Sequence, residues 1–218
     1  MPLYKYDIAL AAQMISSAYY MKKSRGLKPH VREYFDENHV QAIYLKQDIL
    51  LIPGSNSVAD YLMFNLRVLN FGGKKYRLND TDTETDQGAV WHQGFLKHAK
   101  GIADWIDERG YKPKFIVGHS LGAAATQILV RNWGVPGIAF AAPRPLRSAT
   151  GHDHHDLCLC LNRRDDRVCD LPASFGHMGH VHSGGTRAFL RFDHKMKHYR
   201  TMVAEQQALG KLGKMWPE

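Results

Sequence analysis

The sequence has few cysteines, and it contains no internal repeat and no low-complexity linker. Its three cysteines, Cys158, Cys160 and Cys169, lie within twelve residues of one another. An odd cysteine count in a chain of 218 residues does not describe a disulfide framework. Leucines alternate with the first two cysteines, which predicts a buried strand in which cysteine acts as a small hydrophobe. A disulfide-stapled scaffold is therefore not expected.

Long apolar runs are also missing, since no stretch approaches the roughly 20 residues that a membrane-spanning helix needs. The first 23 residues, MPLYKYDIALAAQMISSAYYMKK, have their apolar stretch broken by Gln13 and by Ser16-Ser17. They lack the charged start and the compact apolar centre of a secretory signal. We therefore expect a protein that stays in the cytoplasm or is exported by a non-classical route.

Basic residues outnumber acidic ones, 29 to 21, which gives a formal net charge of +8. Such a charge suits an anionic partner such as nucleic acid or an acidic lipid surface. The basic residues are scattered in pairs along the chain rather than gathered in one tract. We therefore interpret them as a solvated basic surface and expect no nucleic-acid partner, while peripheral contact with an anionic membrane stays open. The sequence does not indicate an oligomeric state.

Strand-like and helix-like patterns alternate along the chain, and its length fits one domain over residues 1–218. Apolar runs predict strands at 40–45, 48–52, 114–117, 137–141, 157–161 and 188–192. Apolar residues at helical spacing predict helices at 7–21, 94–109, 121–133 and 196–209. This order indicates an α/β fold with a mostly parallel sheet covered by helices on both faces. In such folds the chemistry lies at the carboxyl ends of the strands.

A candidate nucleophile, Ser120, lies in the sequence GHSLG, between the predicted strand at 114–117 and the predicted helix at 121–133. The short GxSxG pattern also arises by chance, so its context decides its meaning. A nucleophile elbow needs a strand, a tight turn and a helix, with glycines two residues before and after the serine because side chains there would collide. The helix start also supplies backbone N–H groups where an oxyanion would form. This context favours Ser120 as a nucleophile over a structural turn.

A serine nucleophile needs a histidine base and an orienting carboxylate, which follow an elbow serine in the order acid, then histidine. Three aspartates come after the strand at 157–161, namely Asp165, Asp166 and Asp170. Five histidines come later, namely His177, His180, His182, His194 and His198. Only His194 and His198 follow the last predicted strand. The residues alone do not choose among the three aspartates.

The elbow belongs to an ordered set of short segments. The segments are IPGS (52–55), DYLMFN (60–65), VWHQGF (90–95), GHSLGAA (118–124), AFAAPR (139–144), NRRDDRVCDLP (162–172) and HKMKHY (194–199). This set resembles the class 3 lipase family of α/β-hydrolases, whose motifs read FRGS or FRGT, DWxxN, VHxGF, GHSLGGA, TFGxPR, NxxDxVPxLP and HxMxxY. The chain departs from the family at Pro53 (arginine in the family), Ala123 (glycine) and Cys169 (proline).

The resemblance implies an α/β-hydrolase fold and a Ser-His-Asp triad. Aligning the family's Leu-Pro with residues 171–172 selects Asp166 as the acid, with Asp165 as the alternative, and the closing motif selects His194. The resemblance also implies an oxyanion hole made by the backbone N–H of Leu121 and by the N–H and hydroxyl of Ser55. It implies no cofactor.

The activity that the resemblance implies is hydrolysis of a carboxylic ester in an acylglycerol, a phospholipid or a simpler lipid ester. A thioesterase or acyltransferase would use the same triad. From a different class, the chain could be a basic, non-catalytic interaction module on a hydrolase fold, although an intact triad argues against that interpretation.

Two further segments have alternative interpretations. Residues 56–66 are rich in apolar side chains and occupy the position of the mobile lid of fungal relatives, or else form a helix packed permanently on the core. The histidine-rich segments 151–156 and 176–184 invite a zinc site at His177, His180 and His182. The family has a structural histidine-glycine element in this region, so we expect no metal.

Overall fold

A computed structural model describes residues 4–20, 23–37, 40–54, 68–71, 74–77, 83–151, 153–185 and 194–217. The strands are β1 (Tyr6–Asp7), β2 (Val31–Glu37), β3 (Val40–Leu45), β4 (Ile49–Ile52), β5 (Val68–Phe71), β6 (Lys74–Arg77), β7 (Thr83–Asp86), β8 (Ala89–His92), β9 (Phe115–His119), β10 (Gly137–Phe140), β11 (Leu146–Ala149), β12 (Cys158–Arg163), β13 (His180–Gly184) and β14 (Met215–Trp216). The α-helices are α1 (Ile8–Ala18), α2 (Gln93–Glu108), α3 (Leu121–Trp133) and α4 (Met196–Ala208). Short 3₁₀-helices occur at Lys28–His30, His155–Leu157 and Arg167–Asp170.

Seven strands form the central sheet, in the order β13-β12-β10-β9-β4-β3-β2. The five strands from β13 to β4 pair in parallel, and β3 and β2 add antiparallel pairs at one edge. Smaller antiparallel sheets join β11-β8-β7, β5-β6 and β1-β14. The predicted α/β-hydrolase architecture, a mostly parallel sheet flanked by helices, is confirmed.

Two apolar cores lie on the two faces of the sheet. Strand β4 shows the alternation, since Leu50 and Ile52 pack in the core with α2 and α3, whereas Ile49 and Leu51 pack in the core with α1 and α4. A strand buried on both faces needs apolar residues at every position, which explains the unbroken run ILLI. In the part of the chain that is described, no helix is long and apolar enough to cross a membrane.

The predicted elements and the observed ones agree for most of the core. Helix α3 and strand β3 have the predicted bounds, and the other predicted helices and strands that fall on described residues differ from the observed ones by a few residues at their ends. The edge strands β2 and β13 were not predicted. The strand predicted at 188–192, the candidate oxyanion residue Ser55 and the segment 56–66 lie outside the described residues.

Candidate active site

Ser120 occupies a sharp turn between β9 and α3. Its backbone has φ 57° and ψ −121°, a conformation that residues with a side chain rarely adopt. The Ser120 N–H donates to the carbonyl of Phe140, 2.9 Å away, which ties the turn to the neighbouring strand β10. Such strain persists only where the surrounding structure enforces it. The strand, turn and helix predicted around Ser120 are thus present.

The two glycines of the GxSxG motif have no room for a side chain. A Cβ atom on Gly118 would lie 2.2 Å from Oγ1 of Thr126, and a Cβ atom on Gly122 would lie 1.9 Å from the carbonyl oxygen of Ile52. Both distances are far below van der Waals contact. The close packing of α3 against strands β9 and β4 therefore requires glycine at both positions, for the reason that the sequence pattern suggested.

Ser120, His194 and Asp166 form a continuous hydrogen-bonded array. Nε2 of His194 lies 2.7 Å from Oγ of Ser120, and Nδ1 of His194 lies 2.7 Å from Oδ2 of Asp166. The three residues are 2%, 4% and 2% exposed, respectively. The neutral tautomer that fits both contacts carries its proton on Nδ1 and accepts the serine hydroxyl at Nε2. This arrangement can activate the serine as a nucleophile.

The structure also separates the three aspartates that the sequence left open. Asp166 faces His194, whereas both oxygens of Asp165 accept from the guanidinium of Arg163, at 3.0 and 2.7 Å. Asp170 lies on the surface, where it pairs with Arg144. Asp166 is therefore the carboxylate that contacts the histidine.

The carboxylate of Asp166 is held in its ionised form. Burial raises the pKa of Asp166, but the His194 ring, the Tyr199 hydroxyl and the Val168 N–H together outweigh burial and hold the pKa below its ordinary value. Asp166 also caps the 3₁₀-helix Arg167–Asp170, since its Oδ1 accepts the Val168 N–H at 3.0 Å. The local fold thus fixes the carboxylate that faces His194.

Three residues beside this array were missed by sequence reasoning. The Tyr199 hydroxyl donates to Oδ2 of Asp166 at 2.7 Å. Tyr199 is the last residue of the segment HKMKHY, so this motif could have identified it as a site residue. Its spacing from His194 places Tyr199 near the start of α4. His119 and Tyr19 contact each other behind Ser120. His119 lies in the segment GHSLGAA, but the motif gave its side chain no role, and nothing in the sequence predicted its contact with Tyr19.

Of the two predicted oxyanion residues, the structure describes Leu121 but not Ser55. Leu121 is the first residue of α3, so its backbone N–H has no partner within the helix. Ser55 lies outside the described residues, but its predecessor Gly54 lies directly against Ser120. A Cβ atom on Gly54 would lie 3.0 Å from Cβ of Ser120. Gly54, the residue before Ser55, therefore lies within contact distance of Ser120.

The histidine-rich segments show contacts of a structural kind. Nε2 of His177 lies 2.9 Å from the carbonyl oxygen of Ala142, and burial lowers the pKa of His177. The ring of His180 packs edge-on against Trp216. Among the described residues, no cluster of three or more His, Cys, Asp or Glu side chains could hold a metal ion.

Comparison with known proteins places this fold among lipases. No family model matches the sequence, and no curated protein matches it.

Among solved structures, the chain is similar to a mutant of MDLA from Penicillium cyclopium, with 15% identity over 83% of this chain and 79% of that chain and a TM-score of 0.52. It is similar to the Rhizomucor miehei lipase in a propeptide complex, with 14% identity over 81% of this chain and 67% of that chain and a TM-score of 0.51. It is also similar to the Yarrowia lipolytica LIP2 lipase, with 16% identity over 84% of this chain and 82% of that chain and a TM-score of 0.50. The predicted resemblance to fungal-type lipases is confirmed at the level of the fold.

Proposed function

We propose that the protein is a serine carboxylic-ester hydrolase, a lipase or esterase, with Ser120, His194 and Asp166 as its catalytic triad. The observation that carries the proposal is the pair of 2.7 Å contacts that link the serine, the histidine and the aspartate at the elbow. A serine in an ordinary turn needs neither a strained backbone nor a buried base and carboxylate. The combination favours nucleophilic catalysis over a structural role and over a non-catalytic interaction module.

Acylation of the enzyme follows from this geometry. Nε2 of His194 removes the hydroxyl proton of Ser120 while Oγ attacks the ester carbonyl carbon, and the carbonyl oxygen becomes an oxyanion. Asp166 keeps the proton on Nδ1 and stabilises the imidazolium that forms. The imidazolium then donates its Nε2 proton to the departing alkoxide, which leaves as an alcohol and gives the acyl-enzyme.

Hydrolysis of the acyl-enzyme reverses the roles of the same groups. His194 removes a proton from water, the hydroxide attacks the acyl carbon, and the proton returns to Oγ of Ser120 as the carboxylic acid departs. We assign oxyanion stabilisation to the N–H of Leu121 and, from the family resemblance, to Ser55. One such donor typically contributes about 3 kcal/mol of transition-state stabilisation.

Lipid esters are the substrate class that the fold supports best, since the similar structures include proteins described as lipases. Acylglycerols and phospholipids are both candidates within that class. A thioesterase or acyltransferase would use the same nucleophile, because a thioester carbonyl accepts the same attack. Hydrolysis rates on matched oxygen esters and thioesters of one acyl chain would separate these activities.

A fluorophosphonate probe tests the proposal directly, since it reacts only with an activated serine. We expect stoichiometric labelling of the wild type, no labelling of Ser120→Ala, and wild-type labelling of the matched control Ser148→Ala in strand β11. A folded wild type that is not labelled would show that the chain is not a serine hydrolase. A chain-length series of nitrophenyl esters, with phospholipid vesicles beside it, would then define the substrate.

Peripheral contact with an anionic membrane is a separate proposal that rests on the net charge of +8. Screening weakens attraction between surface charges at high ionic strength. Binding to vesicles that contain anionic lipid should therefore weaken as salt is raised, and vesicles of neutral lipid should bind less. Binding that is insensitive to salt would contradict an electrostatic contact.

A further inference from the structure

A chain of hydrogen bonds passes behind Ser120 and links the end of strand β4 to the proposed catalytic base. The N–H of Gly54 donates to the hydroxyl of Tyr19 at 2.9 Å. The Tyr19 hydroxyl is hydrogen-bonded to Nδ1 of His119. Nε2 of His119 lies 3.0 Å from the backbone carbonyl oxygen of His194. Four residues that are distant in sequence are thus connected through two side chains, and we call this set the Tyr19–His119 chain.

The direction of each hydrogen bond in the Tyr19–His119 chain is fixed by the groups at its ends. The carbonyl oxygen of His194 can only accept, so Nε2 of His119 carries the proton. Nδ1 of a neutral His119 is then an acceptor and takes the hydroxyl hydrogen of Tyr19. The N–H of Gly54 can only donate, and the Tyr19 oxygen accepts this hydrogen bond through one of its lone pairs. All donors and acceptors along the chain are therefore satisfied in a single arrangement.

His119 stays neutral in this arrangement. Burial, and to a lesser extent the neighbouring His194, lower the pKa of His119 to about 3. The rings of His119 and His194 have their centroids 5.0 Å apart, so a charged His119 would oppose the imidazolium that His194 forms during catalysis. A neutral His119 with both nitrogens occupied neither repels that charge nor competes with His194 for the serine proton.

The ends of the Tyr19–His119 chain lie where catalysis requires precise placement. Gly54 precedes the candidate oxyanion residue Ser55, and a Cβ atom on Gly54 would lie 2.7 Å from the Tyr19 hydroxyl and 3.0 Å from Cβ of Ser120. His119 itself precedes Ser120 in sequence. One network therefore contacts the loop before the oxyanion residue, the residue before the nucleophile and the backbone of the base.

We propose that Tyr19 and His119 are positioning residues, which hold the Gly54 backbone and the His194 backbone in fixed relation to Ser120. This inference rests on the proposed hydrolase function. Tyr19 immediately follows α1, so the end of that helix anchors the active site from outside the segments that carry the triad. Neither residue is assigned a contact with substrate. Their contribution is to the alignment of the groups that stabilise the transition state.

The substitution Tyr19→Phe tests the proposal, because it removes one hydroxyl and keeps the aromatic ring. It leaves the Gly54 N–H and Nδ1 of His119 without their partner. An unsatisfied buried group is costly, and where that cost appears in the alignment of the transition state it slows the reaction by roughly 10- to 100-fold. We expect kcat on a nitrophenyl ester to fall by that factor with KM within about twofold of wild type. The rate of fluorophosphonate labelling at Ser120 should fall in parallel.

A matched control is Tyr44→Phe, which also removes a hydroxyl from a buried tyrosine. The Tyr44 hydroxyl donates to Asp48 at 3.0 Å and has no contact with the Tyr19–His119 chain among the described residues. Tyr44→Phe should keep kcat within about twofold of wild type, even if it lowers the thermal unfolding midpoint. Equal losses of kcat in the two variants would mean that Tyr19 acts through general stability, which would overturn the proposal.

A second variant, His119→Gln, reaches the same network from its other end. If Tyr19 and His119 act as one unit, the double variant should lose no more kcat than the more impaired single variant, whereas independent effects would multiply. Multiplying effects, a Tyr19→Phe variant with unchanged kcat, or one with raised KM alone would each overturn the positioning role. A wild type that neither hydrolyses esters nor reacts with the probe would overturn the hydrolase function as well, so the two failures are distinguishable.

Discussion

Tyr199 donates its hydroxyl hydrogen to Oδ2 of Asp166 at 2.7 Å, and this oxygen is the same one that lies 2.7 Å from Nδ1 of His194. The other oxygen, Oδ1, accepts the N–H of Val168. The carboxylate is therefore held by three donors, two from the segment 194–199 and one from the 3₁₀-helix Arg167–Asp170. Tyr199 lies on α4, five residues after His194, so a single short segment supplies both the histidine and a group that orients its partner.

Replacing Tyr199 by phenylalanine should lower the catalytic rate without abolishing it. The variant leaves the Asp166 carboxylate with one donor fewer, and the loss of a hydrogen bond to a charged group is worth about 1.5–3 kcal/mol. We expect kcat to fall by roughly 10- to 100-fold, as measured on a soluble nitrophenyl ester. The control Tyr6→Phe removes a hydroxyl that contacts only Met14 Sδ among the bonds described, and it should retain its activity. Full activity in Tyr199→Phe would show that the hydroxyl does not support the triad.

The adjacent aspartates should give opposite results when each is changed to asparagine. Asp166→Asn removes the charge that fixes the histidine tautomer, and such a change lowers kcat by about 10⁴-fold in triad enzymes. Asp165→Asn leaves the contacts of Asp166 and His194 intact but removes the charge that neutralises the largely buried guanidinium of Arg163. Breaking a buried pair costs roughly 3 kcal/mol, so this variant should be less stable to urea and still active.

Kinetics and urea unfolding of both asparagine variants decide between the two assignments. A large loss of kcat in a folded Asp165→Asn protein, together with retained activity in Asp166→Asn, would reverse the roles of the two residues. The fluorophosphonate probe provides an independent check, since labelling of Ser120 depends on the same base and acid.

The part of the fold that the sequence predicted well is the buried part. Strand β4 is apolar throughout, and most buried positions of helix α3 hold apolar residues, so their patterns are strong. Strand β13 reads HVHSG and is exposed along most of its length, so it carries no apolar pattern to detect. It is a strand because it pairs with β12 at the sheet edge, and pairing between distant segments is not visible in local composition.

In the candidate site, too, some features were predictable from the sequence and others were not. The elbow around Ser120 was predictable because the steric limits at positions 118 and 122 require glycine, which is visible in the sequence. Asp165 and Asp166 are neighbours of the same type, and only the turn after β12 determines which one faces His194. The contact between Tyr19 and His119 joins residues that are 100 positions apart, so no local pattern could predict it.

Stability should decrease as the pH is lowered from neutral, because two histidines are buried in their neutral form. Burial lowers the pKa of His98 to about 3, and the pKa of His119 is likewise about 3, whereas a histidine in the unfolded chain titrates near 6.5. Between these values the unfolded state binds more protons than the folded state, so acid favours unfolding. The free energy of unfolding should fall with decreasing pH by up to roughly 2.7 kcal/mol per pH unit.

Urea unfolding at about pH 7, 6 and 5 measures this slope. The variant His98→Gln removes one of the two titrating groups and should reduce the slope by up to about half. An unfolding free energy that is constant below about pH 6 would show that neither histidine is held neutral in the folded protein.

The last prediction concerns the second glycine of the elbow, Gly122. The β-carbon of alanine at this position would lie 1.9 Å from the Ile52 carbonyl oxygen, and the obstacle is backbone rather than a flexible side chain. Helix α3 would have to move away from strand β4, so we expect Gly122→Ala to lose several kcal/mol of stability or to remain unfolded. Gly26→Ala is a matched control, because nothing lies within 4 Å of a Cβ atom there, and its stability should be equal to or slightly above that of wild type. Far-ultraviolet circular dichroism and thermal unfolding of the two variants provide the comparison. A Gly122→Ala protein as stable as Gly26→Ala would mean that α3 does not pack against β4 as closely as described, and the steric reason for the GxSxG pattern would fail with it.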